Sequence, residues 1–199
     1  MITTVIFDLG GVLLRTEDRE PRSRLAQRLG MTYEELESRV YGSREAMRGE
    51  ISAEDHKKAV LNKLGLTEDA MKEFGDEFWG GDRMDSKLVE FLRGLRGEYT
   101  TALLSNAWDD LRSLLVELWQ IADAFEHIYI SAEMGLAKPD PKIYQAVVSD
   151  LQKDPSEIVF VDDFIENIQA ARKVGWNAIH FRSRKGALLE LAEYLDSEL

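Results

Sequence analysis

The sequence predicts an α/β protein, with a doubly wound parallel sheet and a smaller all-helical domain inserted after the first strand. Two observations carry this. Short, continuous apolar runs alternate with helical patterns over most of the chain, and one long stretch near the N-terminus breaks that rhythm with helices alone.

The first run, Thr3–Phe7 (TTVIF), is β-rich and not alternating, as a strand covered on both faces requires. Residues 16–82 then read as four helices near Glu20–Leu29, Tyr33–Met47, Ala53–Leu64 and Glu68–Trp79. Gly30, Gly42, Gly49, Gly65 and the pair Gly80-Gly81 punctuate them. This assigns 1–15 and 83–199 to an α/β core and 16–82 to a helical insert. The alternation resumes with a helix over Lys87–Arg96, a strand at Thr101–Leu104 and a helix over Asp110–Gln120. It continues with strand His127–Ile130, helix Pro141–Gln152, strand Ile158–Val161 and helix Ile165–Val174. The last strand, Asn177–Phe181, is interrupted by His180. A closing helix, Lys185–Leu195, is expected to turn Leu189, Ala192 and Leu195 inward and the acidic face of Glu190–Glu198 outward.

Composition narrows the function. With 37 acidic and 25 basic residues the net charge is −12, which disfavours nucleic acid and anionic membrane as partners. No cysteine is present, so disulfides, zinc–thiolate sites and thiol nucleophiles are excluded. At 44% apolar residues the chain can build a core. The N-terminus MITTVIFDLGG has no basic leader, and no stretch approaches the roughly 20 apolar residues of a membrane helix, so a cytoplasmic location is expected.

In open α/β sheets the ligand site lies beyond the carboxyl ends of the strands. Asp8 follows the first strand, Ser105-Asn106 the second and Asp162-Asp163 the fourth, while Lys138 lies between the third strand and its helix. Taken singly, each has a plain reading: a turn aspartate, a helix N-cap or a loop lysine. The adjacent acidic pair resists one. If Asp8 joins it, each carboxylate pair at about 4 Å costs on the order of 4 kcal/mol at an effective dielectric of 20. A divalent cation removes that cost, and all-oxygen ligands favour Mg²⁺ over zinc.

The combination resembles the haloacid dehalogenase (HAD)-like hydrolase superfamily over nearly the whole chain. Phe7–Leu14 (FDLGGVLL) is similar to its first motif, LLSN to its second, Lys138 in GLAKPDPKIY to its third, and Val159–Ile168 (VFVDDFIENI) to its fourth. The resemblance implies a Rossmannoid core with a C1-type cap at 16–82. It points to the phosphatase branch that includes sugar-phosphate phosphatases and the N-terminal domain of soluble epoxide hydrolase. It further implies Asp8 as nucleophile, with Mg²⁺ held by Asp8, the Gly10 carbonyl, Asp163 and, directly or through water, Asp162. Ser105, Asn106 and the backbone N–H groups starting the next helix would bind phosphate, Lys138 would neutralise it and steady Asp8, and Asn167 would orient the acidic loop. The expected substrate is a small phosphorylated metabolite. The cap loop offers Arg48 for an anionic substrate group and Glu50 as a substitute acid, although Glu50 also reads as a surface capping residue.

One position departs from the pattern. The family's phosphatases carry a second Asp two residues after the nucleophile, and here Gly10 occupies it. That acid protonates the leaving group, a contribution of roughly 10²–10⁴-fold. Two other readings therefore stand beside a phosphatase: a non-catalytic phosphate-binding protein, and a metal-free 2-haloacid dehalogenase, against which Asp162-Asp163 argues. His56, His127 and His180 show no metal-ligand spacing and read as structural. The tryptophans read as packing residues, with Trp108 a candidate to line the pocket because it closely follows Ser105-Asn106.

Overall fold

The computed structural model describes residues 1–195. The sheet order is β5-β4-β1-β6-β7, all neighbours parallel, from β1 (Thr4–Phe7), β4 (Thr100–Ser105), β5 (His127–Ile130), β6 (Ile158–Asp162) and β7 (Asn177–His180). Every β1 residue is buried, so the strand that delivers Asp8 is the central one. Alternate side chains feed two cores. Val5, Phe7, Leu103 and Val161 pack on one face, and Ile6, Ala102, Leu104 and Phe160 on the other. The continuous apolar runs follow from this double coverage.

A second, two-stranded sheet was not anticipated. β2 (Leu14–Thr16) pairs antiparallel with β3 (Asp82–Met84), and Thr16 Oγ1 donates to Asp82 Oδ1 at 2.6 Å. These strands are the way into and out of the insert. With three residues each they are too short to show alternation.

The insert contains α1 (Glu20–Arg28), α2 (Tyr33–Tyr41), α3 (Arg44–Met47), α4 (Ala53–Lys63) and α5 (Met71–Phe78), the last preceded by a 3₁₀ turn at Glu68–Ala70. The single helix expected over Tyr33–Met47 is broken at Gly42, where a Cβ would meet the Ser38 carbonyl at 2.2 Å. These helices build a core of their own around Leu25, Leu36, Val40, Leu61, Phe74 and Phe78. Arg22, 3% exposed, is held there by the Phe78 carbonyl at 2.9 Å and by Asp82 at 3.1 Å.

The core helices are α6 (Ser86–Leu95), α7 (Leu111–Ser113), α8 (Ser131–Met134), α9 (Pro141–Leu151), α10 (Ile165–Lys173) and α11 (Arg184–Leu195). Three expectations need correction. The helix predicted over Asp110–Gln120 is one α turn, α7, followed by a π-helical segment at Leu114–Leu118. Residues 106–110 are therefore a loop, and no helix starts directly after Ser105-Asn106. In α11 the buried positions are Ala187, Leu191 and Leu195, four apart, and Leu189 is 60% exposed. The final part of the acidic tract, Asp196 and Glu198, lies outside the described residues. No helix among them is long and apolar enough to cross a membrane.

Candidate active site

Asp8 leaves the end of β1 with its backbone tied to β6: its N–H donates to the Val161 carbonyl at 2.9 Å. The side chain is nearly buried, and Oδ1 accepts the Leu9 N–H at 2.7 Å. Lys138, 5% exposed, faces it. Its Nζ lies 3.0 Å from Asp8 Oδ2, 2.7 Å from Asp162 Oδ2 and 2.9 Å from the Leu104 carbonyl. An ammonium has three donors, and three acceptors meet this one. Lys138 is thus a fixed charge of the interior and no solvated loop lysine.

Asn106 places that lysine. Its Nδ2 donates to the Lys138 carbonyl and its Oδ1 accepts the Lys138 N–H, both at 2.8 Å. The peptide bond from Lys138 to Pro139 is cis. The Asn106 amide is therefore occupied with the neighbouring loop. Ser105 is buried, and its hydroxyl makes no hydrogen bond among the described residues.

The acidic pair divides into two environments. Asp162 is fully buried, and both its oxygens accept hydrogen bonds: Oδ1 from the Phe164 N–H at 2.7 Å, Oδ2 from Lys138, and each from Asn167 Nδ2 at 3.0 Å. Asn167 is fixed in turn by Tyr144, whose hydroxyl donates to the Asn167 carbonyl at 3.1 Å. Asp163 is the opposite case. Its Oδ1 is buried without a hydrogen-bond partner among the described residues. Its backbone carbonyl accepts from His180 Nε2 at 2.9 Å, so His180 ties the acidic loop to β7.

Oxygens of Asp8, Asp162 and Asp163 all lie within 4.8 Å of one another. Burial raises the Asp8 pKa to about 7; Lys138 opposes the rise and the neighbouring carboxylates add to it. Burial and then Asp162 raise Asp163 to about 6. Burial works against the Lys138 charge, but Asp8 and Asp162 outweigh it and hold the pKa above the ordinary lysine value. A single lysine against three carboxylates leaves a negative excess that a divalent cation would balance.

Two glycines shape this pocket. Gly11 has φ +72°, and a Cβ there would lie 2.0 Å from Asp163 Oδ2. Gly10 has nothing within 4 Å of a Cβ, so the space the family's second Asp would fill is open. The Gly-Gly pair after Asp8 was the available sequence signal for the first. The backbone role of His180 left no signal.

The cap loop reaches the same side. At Gly49, φ +68°, a Cβ would sit 2.2 Å from the Ala132 carbonyl, so the Arg48-Gly49-Glu50 loop presses on α8. The Ala132 N–H donates to the Ala107 carbonyl at 3.3 Å, next to Asn106. Arg48 and Glu50 are exposed, and their side chains make no hydrogen bond or ion pair among the described residues.

Trp108 goes into the insert. Its ring centroid lies 4.8 Å from His56, 6.2 Å from Tyr41 and 6.3 Å from Trp79. The next residues continue the tie: Asp109 Oδ1 accepts the Ala53 N–H at the start of α4 at 2.8 Å, and Asp110 pairs with Lys57. The loop that begins at the Ser105 strand end is therefore the dock for the insert.

Comparison with known proteins agrees with this geometry. The chain is 28% identical over 199 residues to D-ribitol-5-phosphate phosphatase of Bacteroides thetaiotaomicron, covering 94% of each chain. It is 35% identical over 97 residues to bifunctional epoxide hydrolase 2 of Rattus norvegicus, which is 47% of this chain and 18% of that one. A HAD-family enzyme from Bacteroides thetaiotaomicron, crystallised with magnesium and inorganic phosphate, superposes with a TM-score of 0.76 at 25% identity, over 92% of this chain and 96% of that one. The sequence pattern of the haloacid dehalogenase-like hydrolases matches residues 2–175, from β1 through the acidic pair and α10. That match spans the strand ends that bring Asp8, Lys138 and Asp162-Asp163 together, and the chain belongs to the haloacid dehalogenase-like hydrolase family.

Proposed function

We propose that this protein is a Mg²⁺-dependent phosphomonoester hydrolase that acts on a small phosphorylated metabolite, with Asp8 as the nucleophile. The observation that supports this most is the Asp8–Asp162–Asp163 cluster facing one buried lysine. The donor set fits Mg²⁺: all ligands are oxygen, and one buried Asp163 oxygen has no hydrogen bond. Asp8, Asp163 and the Gly10 carbonyl would hold the ion. Asp162 was expected among the ligands, but its oxygens are bound to Lys138, Asn167 and Phe164, which suits it better to fixing Lys138. When bound, the metal supplies positive charge to the phosphoryl oxygens and to the Asp8 carboxylate.

The residues divide the chemistry as follows. Leu9 N–H and Lys138 hold the Asp8 carboxylate from both sides and fix its orientation toward phosphorus. Asp8 attacks, the phosphorus–oxygen bond to the alcohol breaks, and an aspartyl phosphate remains on Asp8 for water to cleave. Lys138 Nζ donates to Asp162 and the Leu104 carbonyl and lies 3.0 Å from Asp8, so it acts on the phosphoryl group chiefly as a charge. The Ser105 hydroxyl, free of protein partners, binds a phosphoryl oxygen. Because Gly10 offers no acid, the leaving alcohol departs unassisted or takes a proton from the cap, where Glu50 is the candidate. The favoured substrates are therefore phosphates with good leaving groups. Arg48 is the cap candidate for binding a further anionic group.

Phosphate release from a panel of sugar and alkyl phosphates, with Mg²⁺ and with EDTA, tests this. Turnover that needs Mg²⁺ and vanishes in Asp8→Asn is expected. Turnover that survives either change would overturn the assignment.

A further inference from the structure

The junction of the insert with the core carries a second concentration of charge, of opposite sign to the acidic centre. A groove of about 460 Å³ opens between β2 and the start of α11, lined by Arg15, Arg182, Arg184 and Lys185 against Glu17 and Asp85. Four cations face two carboxylates there, in a chain of net charge −12.

Asp85 organises the groove. Its side chain is 2% exposed, and Arg15 Nη2 donates to it at 2.9 Å while Arg184 Nη1 donates to both oxygens at 2.7 and 2.9 Å. Burial alone would raise the Asp85 pKa, but the hydrogen bonds from the two arginines outweigh it and hold the group below the ordinary carboxylate value. Arg15 is steadied further over the Phe181 ring, 5.7 Å from its centroid. One buried anion thus fixes two guanidiniums and leaves the triad with one positive charge in excess. Glu17 approaches Arg15 only at 3.5 Å and is largely exposed. Tying the linker to the core would account for the triad. It would not account for Arg182 and Lys185, which are exposed, have no ion-pair partner among the described residues and repel the guanidiniums beside them.

We propose that this groove is an oxyanion site, separate from the acidic centre, that takes a phosphate-type dianion between the Asp85-fixed guanidiniums and the free Arg182 and Lys185. Guanidinium forks match a tetrahedral oxyanion in two hydrogen bonds and give no such match to a halide, so phosphate is preferred to chloride. The bound anion bridges β2, which leads into the insert, to the loop that starts α11 in the core. This inference does not depend on the activity proposed above.

The test titrates the full chain with inorganic phosphate in EDTA, at constant ionic strength set with chloride, following backbone amides by NMR and heat by calorimetry. Saturable binding with Kd on the order of 1 mM is expected, with shifts at residues 181–186. The variant R182A/K185A, which leaves the buried triad intact, is expected to bind at least about tenfold more weakly, and R182K/K185R to retain binding. Unchanged affinity in R182A/K185A, shifts confined to the Ser105 and Lys138 loops, or no saturation by about 10 mM would each overturn the proposal.

Discussion

Gly11 and Asp163 occupy one another's space: a single methyl group on Gly11 would lie 2.0 Å from the Asp163 carboxylate. The glycine is required twice here, once for its left-handed φ of +72° and once for the close approach. The approach is what lets Asp163 stand beside Asp8, with one buried oxygen that has no hydrogen bond among the described residues.

Gly11→Ala should therefore weaken Mg²⁺ binding by at least about tenfold, beyond the roughly 1–2 kcal/mol of stability lost to the strained φ. Calorimetric Mg²⁺ titration beside urea unfolding separates the two effects. Unchanged metal affinity with lowered stability would show that Asp163 does not depend on this contact.

Removing the metal should reverse the usual pH trend of stability. Asp8 at about 7 and Asp163 at about 6 both lie above the ordinary aspartate value of 3.8. Between about pH 4 and 7 the folded state then binds more protons than the unfolded chain, so stability in EDTA falls as pH rises and levels off above Asp8's pKa. The drop should amount to several kcal/mol, shrink in Asp8→Asn, and be recovered by Mg²⁺ at pH 8. A melting temperature in EDTA that is flat or rising from pH 5 to about 8 would contradict this.

The strand ends were legible in the sequence because buried parallel strands leave a signature: unbroken apolar runs, each stopping at a polar residue. His127–Ile130 was placed to the residue, and β1, β4, β6 and β7 to within one at each end. What escaped was set by tertiary contact. β2 and β3 form only because the chain leaves and re-enters the core side by side, and three residues carry no period. Asn106 looked like a helix cap or a phosphate ligand, and its amide instead brackets Lys138, a partner 32 residues away. The helix expected from Asp110 begins at Leu111, and Trp108–Asp110 ahead of it are spent on the insert. Asp85 gave no sign of its two arginines, one 70 residues before it and one 99 after.

Trp108→Ala should loosen the insert and leave the sheet intact. The ring is partly buried among His56, Tyr41 and Trp79, and its removal should cost about 2–3 kcal/mol. Hydrogen exchange should quicken in α2, α4 and α5 while β1 and β6 stay protected. Equal acceleration throughout would mean that insert and core unfold as one unit, and that Trp108 is no dedicated dock.

Gly10→Asp asks whether a missing acid limits the rate. The position tolerates the change: its φ lies outside the left-handed region, and a Cβ would meet nothing within 4 Å. The residue is exposed beside the acidic centre, where a carboxyl could reach the leaving oxygen of a bound ester. A proton supplied there matters most when the alcohol is a poor leaving group. For such esters the variant should turn over roughly 10²-fold faster or more, while aryl or anomeric phosphates should change far less. The ratio of the two rates is the readout, because it cancels any general effect of added negative charge on Mg²⁺ or substrate binding. An unchanged ratio in a folded variant would place the acid elsewhere. Glu50→Gln would then be the next substitution, losing activity toward the poor leaving groups alone if the cap supplies the proton.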